Sequence, residues 1–210
     1  MDLKKAKGAE LREYMAHVEN TNARQGFGSA FLGRIQQFSG PDGLGHVVSG
    51  VIDQDGHLVQ VIIPFEDSAD IGTAAMQITS KDGQLFVDFG EIDRKLGGWP
   101  HIWPDQRKIY GADNTLSEAI EWVGDDLEKH KYFFADETLR EEQHLKDRKL
   151  IKRIQYSFLG ESLEIDYDNG QKVKEVRKDA SGRTMAGNGS KSAGPTKGTI
   201  AKMLKDSEYT

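Results

Sequence analysis

The clearest alternation of apolar and polar positions lies between residues 45 and 90, where four short apolar runs are separated by turn signals. Two runs rich in β-branched residues, 46–52 and 58–63, flank Asp-Gln-Asp-Gly, whose final Asp-Gly pair can adopt the positive φ of a tight hairpin turn. Two further runs, 76–78 and 85–89, flank Ser-Lys-Asp-Gly and place apolar residues at alternate positions. The pattern predicts two β-hairpins with one buried face.

Helical spacing predicts three helices. Apolar residues three and four positions apart predict an amphipathic helix near the N-terminus, over residues 9–19. A second helix is expected at about 115–134, because Thr115 with Glu118 matches a capping box. A third is expected at about 136–152, where acidic residues at the start and basic ones at the end complement the helix dipole. The apolar stripe of the second helix is Leu116, Ile120, Val123, Leu127 and Phe134.

The last part of the chain predicts strands and then a tail. Runs at 154–159, 163–167 and 173–176 alternate, and Asn169-Gly170 is a hairpin turn between the last two. No internal repeat is evident. These elements favour an α+β fold, a mainly antiparallel sheet or small partly open barrel, in one domain of residues 1–178. A flexible Gly/Ser/Lys linker at 179–198 and a short docking segment at 199–210 are expected to follow.

Composition and charge limit the classes of function. The 210 residues include no cysteine, which excludes disulfides, thiol nucleophiles and cysteine zinc sites. No apolar leader or membrane-length run is evident, so a cytoplasmic protein without a membrane partner is expected. The net charge of −6 conceals a division, because nine Lys or Arg between Lys172 and Lys205 oppose only Glu175 and Asp179. An acidic body with a basic tail is expected to meet phosphate groups or an acidic protein surface.

The familiar motifs of enzymes are missing or incomplete. In 187–192 a serine separates glycine from lysine, so the phosphate-loop spacing fails. The six histidines show no metal-ligand spacing, and the Asp-rich turns are typical of hairpins. No cofactor, metal ligand or catalytic residue is therefore assigned, and a non-enzymatic protein is favoured. A metal-dependent nuclease using Asp166, Glu175 and Arg177 is the third alternative, weakened because arginine is a poor substitute for lysine there.

Aromatic and basic residues supply the remaining candidate site. The segment from Trp99 to Tyr110 contains two Trp-Pro pairs and no period, which predicts a structured loop. Aromatic faces beside cations suit stacking of unpaired bases, and the basic tail adds attraction to phosphates. Alternatively, both tryptophans close the end of the β core. The predicted nucleic-acid-binding residues are Trp99, His101, Trp103, Arg107, Lys108, Tyr110, Lys172, Lys174, Arg177, Lys178, Arg183, Lys191 and Lys197.

Two functions follow from these features. The first is a non-enzymatic accessory protein that binds nucleic acid, most plausibly single-stranded DNA or RNA, through the aromatic segment and the tail. The second is a structural or assembly protein, such as a phage-type accessory or virion component, whose C-terminal tail engages neighbouring subunits in a homo-oligomer.

Overall fold

A computed structural model of the protein describes residues 2–22, 30–32, 35–66, 72–93, 99–124 and 126–185. These residues form one helix, α1 (Gly8–Asn22), and thirteen strands that pair antiparallel, each with the next along the chain, in one open sheet. The strands are β1 (Ala30–Leu32), β2 (Ile35–Pro41), β3 (Val47–Ile52), β4 (Leu58–Pro64), β5 (Ala74–Lys81), β6 (Gln84–Asp93), β7 (His101–Tyr110), β8 (Leu116–Val123), β9 (Leu127–Phe133), β10 (Leu139–Lys146), β11 (Lys149–Tyr156), β12 (Ser162–Asp168) and β13 (Gln171–Lys178).

The hydrophobic core lies between α1 and one face of β2 to β6. Leu11, Tyr14 and Val18 of the helix are buried in one cluster with Val61 and Ile78 of the sheet. The predicted N-terminal helix and the two hairpins between residues 45 and 90 are therefore confirmed. We call the side of the sheet against which α1 packs the helix face, and the opposite side the outer face.

Arg12 connects α1 to two turns of the sheet. Its Nε donates to Oδ1 of Asn114 at 2.6 Å, and its terminal nitrogen donates to the carbonyls of Gly83 and Gly111 at 2.6 and 3.0 Å. Further along the sheet, Lys7 Nζ lies 2.6 Å from Oε2 of Glu137, in the turn between β9 and β10. The helix thus holds the start of the second half of the sheet as well as the core.

The predicted helices at 115–134 and 136–152 are wrong, because these residues form the four strands β8 to β11. Thr115 does not cap a helix: its hydroxyl donates to Oδ1 of Asp113 at 2.7 Å inside a turn. Glu118 instead contacts Nδ1 of His130 on the neighbouring strand at 3.0 Å. Residues with high helix propensity adopt strands here because cross-strand partners outweigh intrinsic preference.

The strands β8 to β13 form a single layer in the described part of the chain. Among the described residues of these strands Ile154 alone is buried, and the other side chains are half-buried or exposed. A sheet without a second layer has little apolar burial, so cross-strand pairs carry much of its stability. The prediction of a mainly antiparallel, sheet-rich fold is correct. The described residues form an open sheet with one helix, so the predicted α+β fold with three helices is not confirmed.

A repeat that the sequence analysis did not detect organises this single layer. In four turns, every second one from the end of β7 onward, an N–H donates at 2.9 Å to the carbonyl four residues later, starting at Gly111, Phe134, Ser157 and Asp179. The spacings between these residues are 23, 23 and 22. The fourth residue of each turn has positive φ: Asn114, Glu137, Gly160 and Gly182. The sequences of the first two units are clearly similar at the turn, ADNTLSE at 112–118 and ADETLRE at 135–141, whereas the other two turns lack this sequence.

The remaining C-terminal predictions have mixed outcomes. β12, β13 and the Asn169-Gly170 turn are confirmed, and β11 ends at Tyr156, so residues 157–159 belong to a turn. The first residues of the predicted linker, 179–183, form the fourth repeat turn. The N–H of Asp179 donates to the carbonyl of Arg183, as in the other three turns. The rest of that linker and the docking segment at 199–210 lie outside the described residues. Among the described residues no helix has both the length and the apolar run needed to span a bilayer.

Candidate functional site

The predicted loop from Trp99 to Tyr110 is largely the strand β7, and its side chains divide between the two faces. Leu85 and Val87 in the core pair with Tyr110 and Lys108, which places these two residues on the helix face. Arg107 pairs with Asp88 and lies on the outer face. A bulge at Asp105 then reverses the alternation, so that Trp103 and His101 return to the helix face opposite Glu91 and Asp93.

Gly90 explains how close the two strands come at this bulge. A Cβ built on Gly90 would lie 1.9 Å from the carbonyl oxygen of Trp103, so no side chain fits at this position. The approach brings Trp103 to the surface beside β6, where its indole N–H donates to Oδ2 of Asp93 at 2.8 Å. The ring of Trp103 is 69% exposed, whereas Trp99 is half-buried and its indole nitrogen has no hydrogen-bond partner among the described residues.

An open groove of about 390 Å³ lies on the helix face beside the start of α1. Two lysines line it, each over an aromatic ring: Lys4 lies 4.2 Å from the centre of Phe65, and Lys108 lies 5.3 Å from the centre of Phe89. The carboxylates of Glu91 and Asp105 line the same groove. Its charge is therefore balanced rather than basic.

Two residues of the predicted site have structural partners. Asp88 accepts two hydrogen bonds from Arg107, at 2.6 and 3.0 Å, and the guanidinium lies 5.7 Å from the ring centre of Trp122. The hydrogen bond to Asp88 raises the pKa of Arg107. Tyr110 is buried in the core, and this burial raises the pKa of its hydroxyl. Both residues therefore have structural roles, Arg107 in an ion pair and Tyr110 in the core.

The basic residues of β13 lie far from β7. Six strand spacings separate the two strands, about 29 Å at about 4.8 Å each. Lys178 contacts Glu164 on the helix face, while Lys172 contacts Glu175 on the outer face. Arg177 and Arg183 approach Glu175 and Asp179 at 3.8 and 3.3 Å. Lys191 and Lys197 lie outside the described residues.

Sequence reasoning missed a row of ion pairs on the outer face. Asp88 with Arg107, Glu118 with His130, and Glu141 with Arg153 recur at hairpin spacing, with closest distances of 2.6, 3.0 and 2.6 Å. His130 also contacts Oε2 of Glu128 at 3.0 Å. The signal was present in the sequence, because Arg107, His130 and Arg153 are each 23 residues apart.

Glu141 is the best-connected carboxylate of this row. It accepts hydrogen bonds from Arg153, Gln143 and Gln155 at 2.6, 2.5 and 3.3 Å. Burial raises its pKa, but these donors outweigh burial and hold the pKa below its ordinary value of 4.5. The hydrogen bond from Arg153 to Glu141 also raises the pKa of Arg153. Each pair of the row joins two consecutive strands, β6 with β7, β8 with β9 and β10 with β11, and so stabilises their pairing.

On the helix face of β8 to β13 many cross-strand neighbours carry opposite charges. Glu121 pairs with Lys129, Lys131 with Glu142, and Lys152 with Asp166, which in turn pairs with Lys174. Lys152 lies 3.3 Å from Glu164. The lysine contact from Lys178 is the main cause of the lowered pKa of Glu164, and Lys152 adds to it. Most lysines on this face pair with a carboxylate, with Lys149 opposite Lys146 as an exception, so the face is a poor match for a row of phosphates.

An apolar cluster stands at one end of the single layer, on the tips of the repeat turns. The rings of Phe134 and Phe158 stack with centres 4.1 Å apart, although they come from successive turns. Phe158 is 72% exposed and Leu159 is 80% exposed. We call Phe134, Phe158 and Leu159 the apolar tip. Two exposed neighbouring apolar side chains on a turn are unusual, because turn residues are ordinarily polar.

A metal centre does not form within the described ranges, where no group of three or more His, Asp or Glu is placed to hold an ion. The nuclease arrangement is also divided. Asp166 pairs with Lys174 on the helix face, whereas Glu175 and Arg177 pair with Ile165 and Leu163 on the outer face. These carboxylates cannot share one ion from opposite sides of a sheet.

Comparison with known proteins gives no relative: no protein-family model matches the chain, and no curated protein matches it. The candidate surfaces are the apolar tip, the groove beside Trp103, and the edge of β13 that no other strand pairs with among the described residues.

Proposed function

We propose that the protein is a non-enzymatic assembly protein, in which the sheet β8 to β13 associates with other protein subunits. The observation that supports this most is the apolar tip, which exposes Phe158 and Leu159 at the end of a single-layer sheet. Charged residues occupy much of both faces of the layer, and Phe158 and Leu159 are the two most exposed large apolar residues that the structure describes. Covering an exposed apolar cluster with another apolar surface lowers the free energy of the system.

A second copy of the chain is the occupant that we assign to the tip. Symmetric dimers use the same patch on both subunits, so the patch must complement itself. An apolar patch satisfies this condition, whereas a patch of one charge sign repels its copy. Burial of Phe158 and Leu159 from both subunits is worth roughly 6–12 kcal/mol at about 1.5–3 kcal/mol per side chain, and the cost of association offsets most of it, which suits a reversible dimer.

Sedimentation velocity over a range of protein concentrations tests this function. The wild-type chain is expected to shift from monomer toward dimer as concentration rises, and the double variant Phe158→Ser, Leu159→Ser is expected to remain monomeric. Val123→Ser is the matched control, because Val123 is an exposed apolar residue at the opposite end of the layer. A wild-type chain that stays monomeric, or a double variant that still dimerises, would contradict the proposal.

Single-stranded nucleic acid at the groove is a second candidate, and one observation favours it. The exposed ring of Trp103 shares the helix face with Lys4 and Lys108, both of which already lie over aromatic rings. Such a surface offers one stacking position and two cations. Its support is weaker, because Glu91 and Asp105 line the same groove and the basic strand β13 is six strands away.

Titration of a labelled single-stranded oligonucleotide at low and high salt tests this second function. Binding that weakens with salt and is lost in Trp103→Ala is expected, with Trp122→Ala as a tryptophan control on the outer face. Absence of binding at low salt, or equal effects of the two variants, rules the groove out as the nucleic-acid site.

A further inference from the structure

The outer edge of β13 carries backbone groups that no strand pairs with between Gln171 and Val176, within the described residues. The chain turns at residues 179–183 and begins to return alongside β13. Thr184 bridges Lys178, and the N–H of Met185 donates to the carbonyl of Arg177 at 2.8 Å. The carbonyl of Arg177 therefore points away from β12. Because backbone groups alternate along a strand, those of Glu175 point outward too.

The charge pattern of the helix face specifies what this edge would accept. At the paired positions Glu121–Lys129, Lys131–Glu142 and Lys152–Asp166–Lys174 a carboxylate lies opposite a lysine, whereas Lys146 of β10 pairs with Lys149 of β11. The acidic strand β12 has lysines on both sides, from Lys152 of β11 and Lys174 of β13, whereas among the described residues β13 has carboxylates beside it only on the side of β12. Lys174 is exposed and pairs in register with Asp166 alone. A further strand with carboxylates on the helix face would extend the alternation.

We propose that the edge of β13 binds an extended acidic segment of a partner protein by strand addition. Main-chain hydrogen bonds to the outward groups of Glu175 and its neighbours supply affinity, and a carboxylate on the helix face of the added strand lies beside Lys174. This inference rests on the proposed assembly role, for which it names a partner class and a site on the same sheet.

Two other occupants fit the edge less well. A second copy of β13 would bring Lys174 close to the same lysine of the copy, and like charges directly opposite destabilise strand pairing. The sequence after Met185 is also basic, with four lysines and no carboxylate before Asp206. An acidic strand must therefore come from a different protein.

A labelled peptide of alternating glutamate and valine or threonine is the probe, measured by fluorescence anisotropy with the full-length chain. The same peptide with lysine in place of glutamate is its control. We expect binding of the acidic peptide only, weakened about tenfold by Lys174→Glu, since a close charge reversal is worth about 1.4 kcal/mol or more at a surface. Lys149→Glu makes the same charge change on β11, away from the edge, and is expected to leave binding unchanged.

A backbone variant tests strand addition itself. Glu175→Pro removes an outward N–H and is expected to abolish binding, because proline cannot donate to a new ladder. Glu175→Gln removes the same carboxylate without closing the edge and is expected to bind at least as tightly as the wild type. If Glu175→Pro does not fold, the inference is tested by exchanging the charges of the two partners. Lys174→Glu is then expected to bind the lysine peptide better than the wild type does.

Binding of both peptides equally, no binding of the acidic peptide, or full binding by folded Glu175→Pro would overturn the inference. Sedimentation of the same samples separates this result from the fate of the assembly role. If the chain dimerises through the apolar tip but does not bind the acidic peptide, only the strand-addition proposal is refuted. A chain that binds the peptide but never dimerises refutes the tip contact alone.

Discussion

The buried carboxylate of Asp42 joins α1 to the turn between β2 and β3. It is fully buried and accepts hydrogen bonds from the Tyr14 hydroxyl at 2.9 Å and from the backbone N–H groups of Leu44 and His46 at 2.7 and 3.0 Å. Nδ1 of His46 lies 2.8 Å away. Burial raises the pKa of Asp42, but the hydrogen bonds from His46, Leu44 and Tyr14 outweigh it and lower the pKa overall.

Asp42→Ala is expected to lower the free energy of unfolding by about 3 kcal/mol, because it leaves a buried hydroxyl and two N–H groups without acceptors. Urea unfolding monitored by circular dichroism measures the loss. Asp55→Ala, in the exposed turn after β3, is the control and is expected to change the free energy of unfolding by less than about 0.5 kcal/mol. Equal effects of the two substitutions would show that Asp42 is not a structural link.

Between strands, Glu141 gives a prediction for the pH dependence of stability. Its folded pKa lies below its ordinary value of 4.5, so its contribution is complete above about pH 4.5 and is lost as pH falls through the folded pKa. Glu141→Gln is expected to cost about 1–2 kcal/mol near pH 7 and to make the free energy of unfolding fall less on acidification than in the wild type.

Urea unfolding at neutral and acidic pH measures both effects. Glu161→Gln removes an exposed carboxylate from the neighbouring turn and is expected to leave the pH profile unchanged. A steeper acid loss in Glu141→Gln than in the wild type would mean that the carboxylate is not stabilised by its donors in the folded state.

The same strands show which local structures the sequence determines. The hairpins between residues 45 and 90 are recognisable because β-branched runs and Asp-Gly turns agree with a buried face. β8 to β11 are not, because a single layer has no continuous buried face and its Glu- and Lys-rich strands have the composition of helices. In β7 simple alternation would put Trp103 and Arg107 on one face, and the bulge at Asp105 separates them. Bulges arise from strand pairing, which local sequence does not reveal.

The repeat predicts how the entire chain tolerates deletion. Removing residues 134–156, one full unit, takes away two strands and joins Phe133 to a turn of the same geometry at Ser157, so direction and pairing are kept. We expect this variant to fold with the α1 core intact, measured by cooperative urea unfolding. Removing residues 134–145 deletes one strand, reverses the chain direction that follows, and is expected to destroy the layer beyond β9. Equal loss of structure in both deletions would refute modular hairpins.

Hydrogen–deuterium exchange at low and high protein concentration tests assembly through the apolar tip most directly. Amides of residues 157–161 are expected to become protected at high concentration in the wild type, and to exchange at the low-concentration rate in the Phe158→Ser, Leu159→Ser variant. Exchange that is independent of concentration, or protection that appears at the Trp103 groove and not at the tip, would contradict the account.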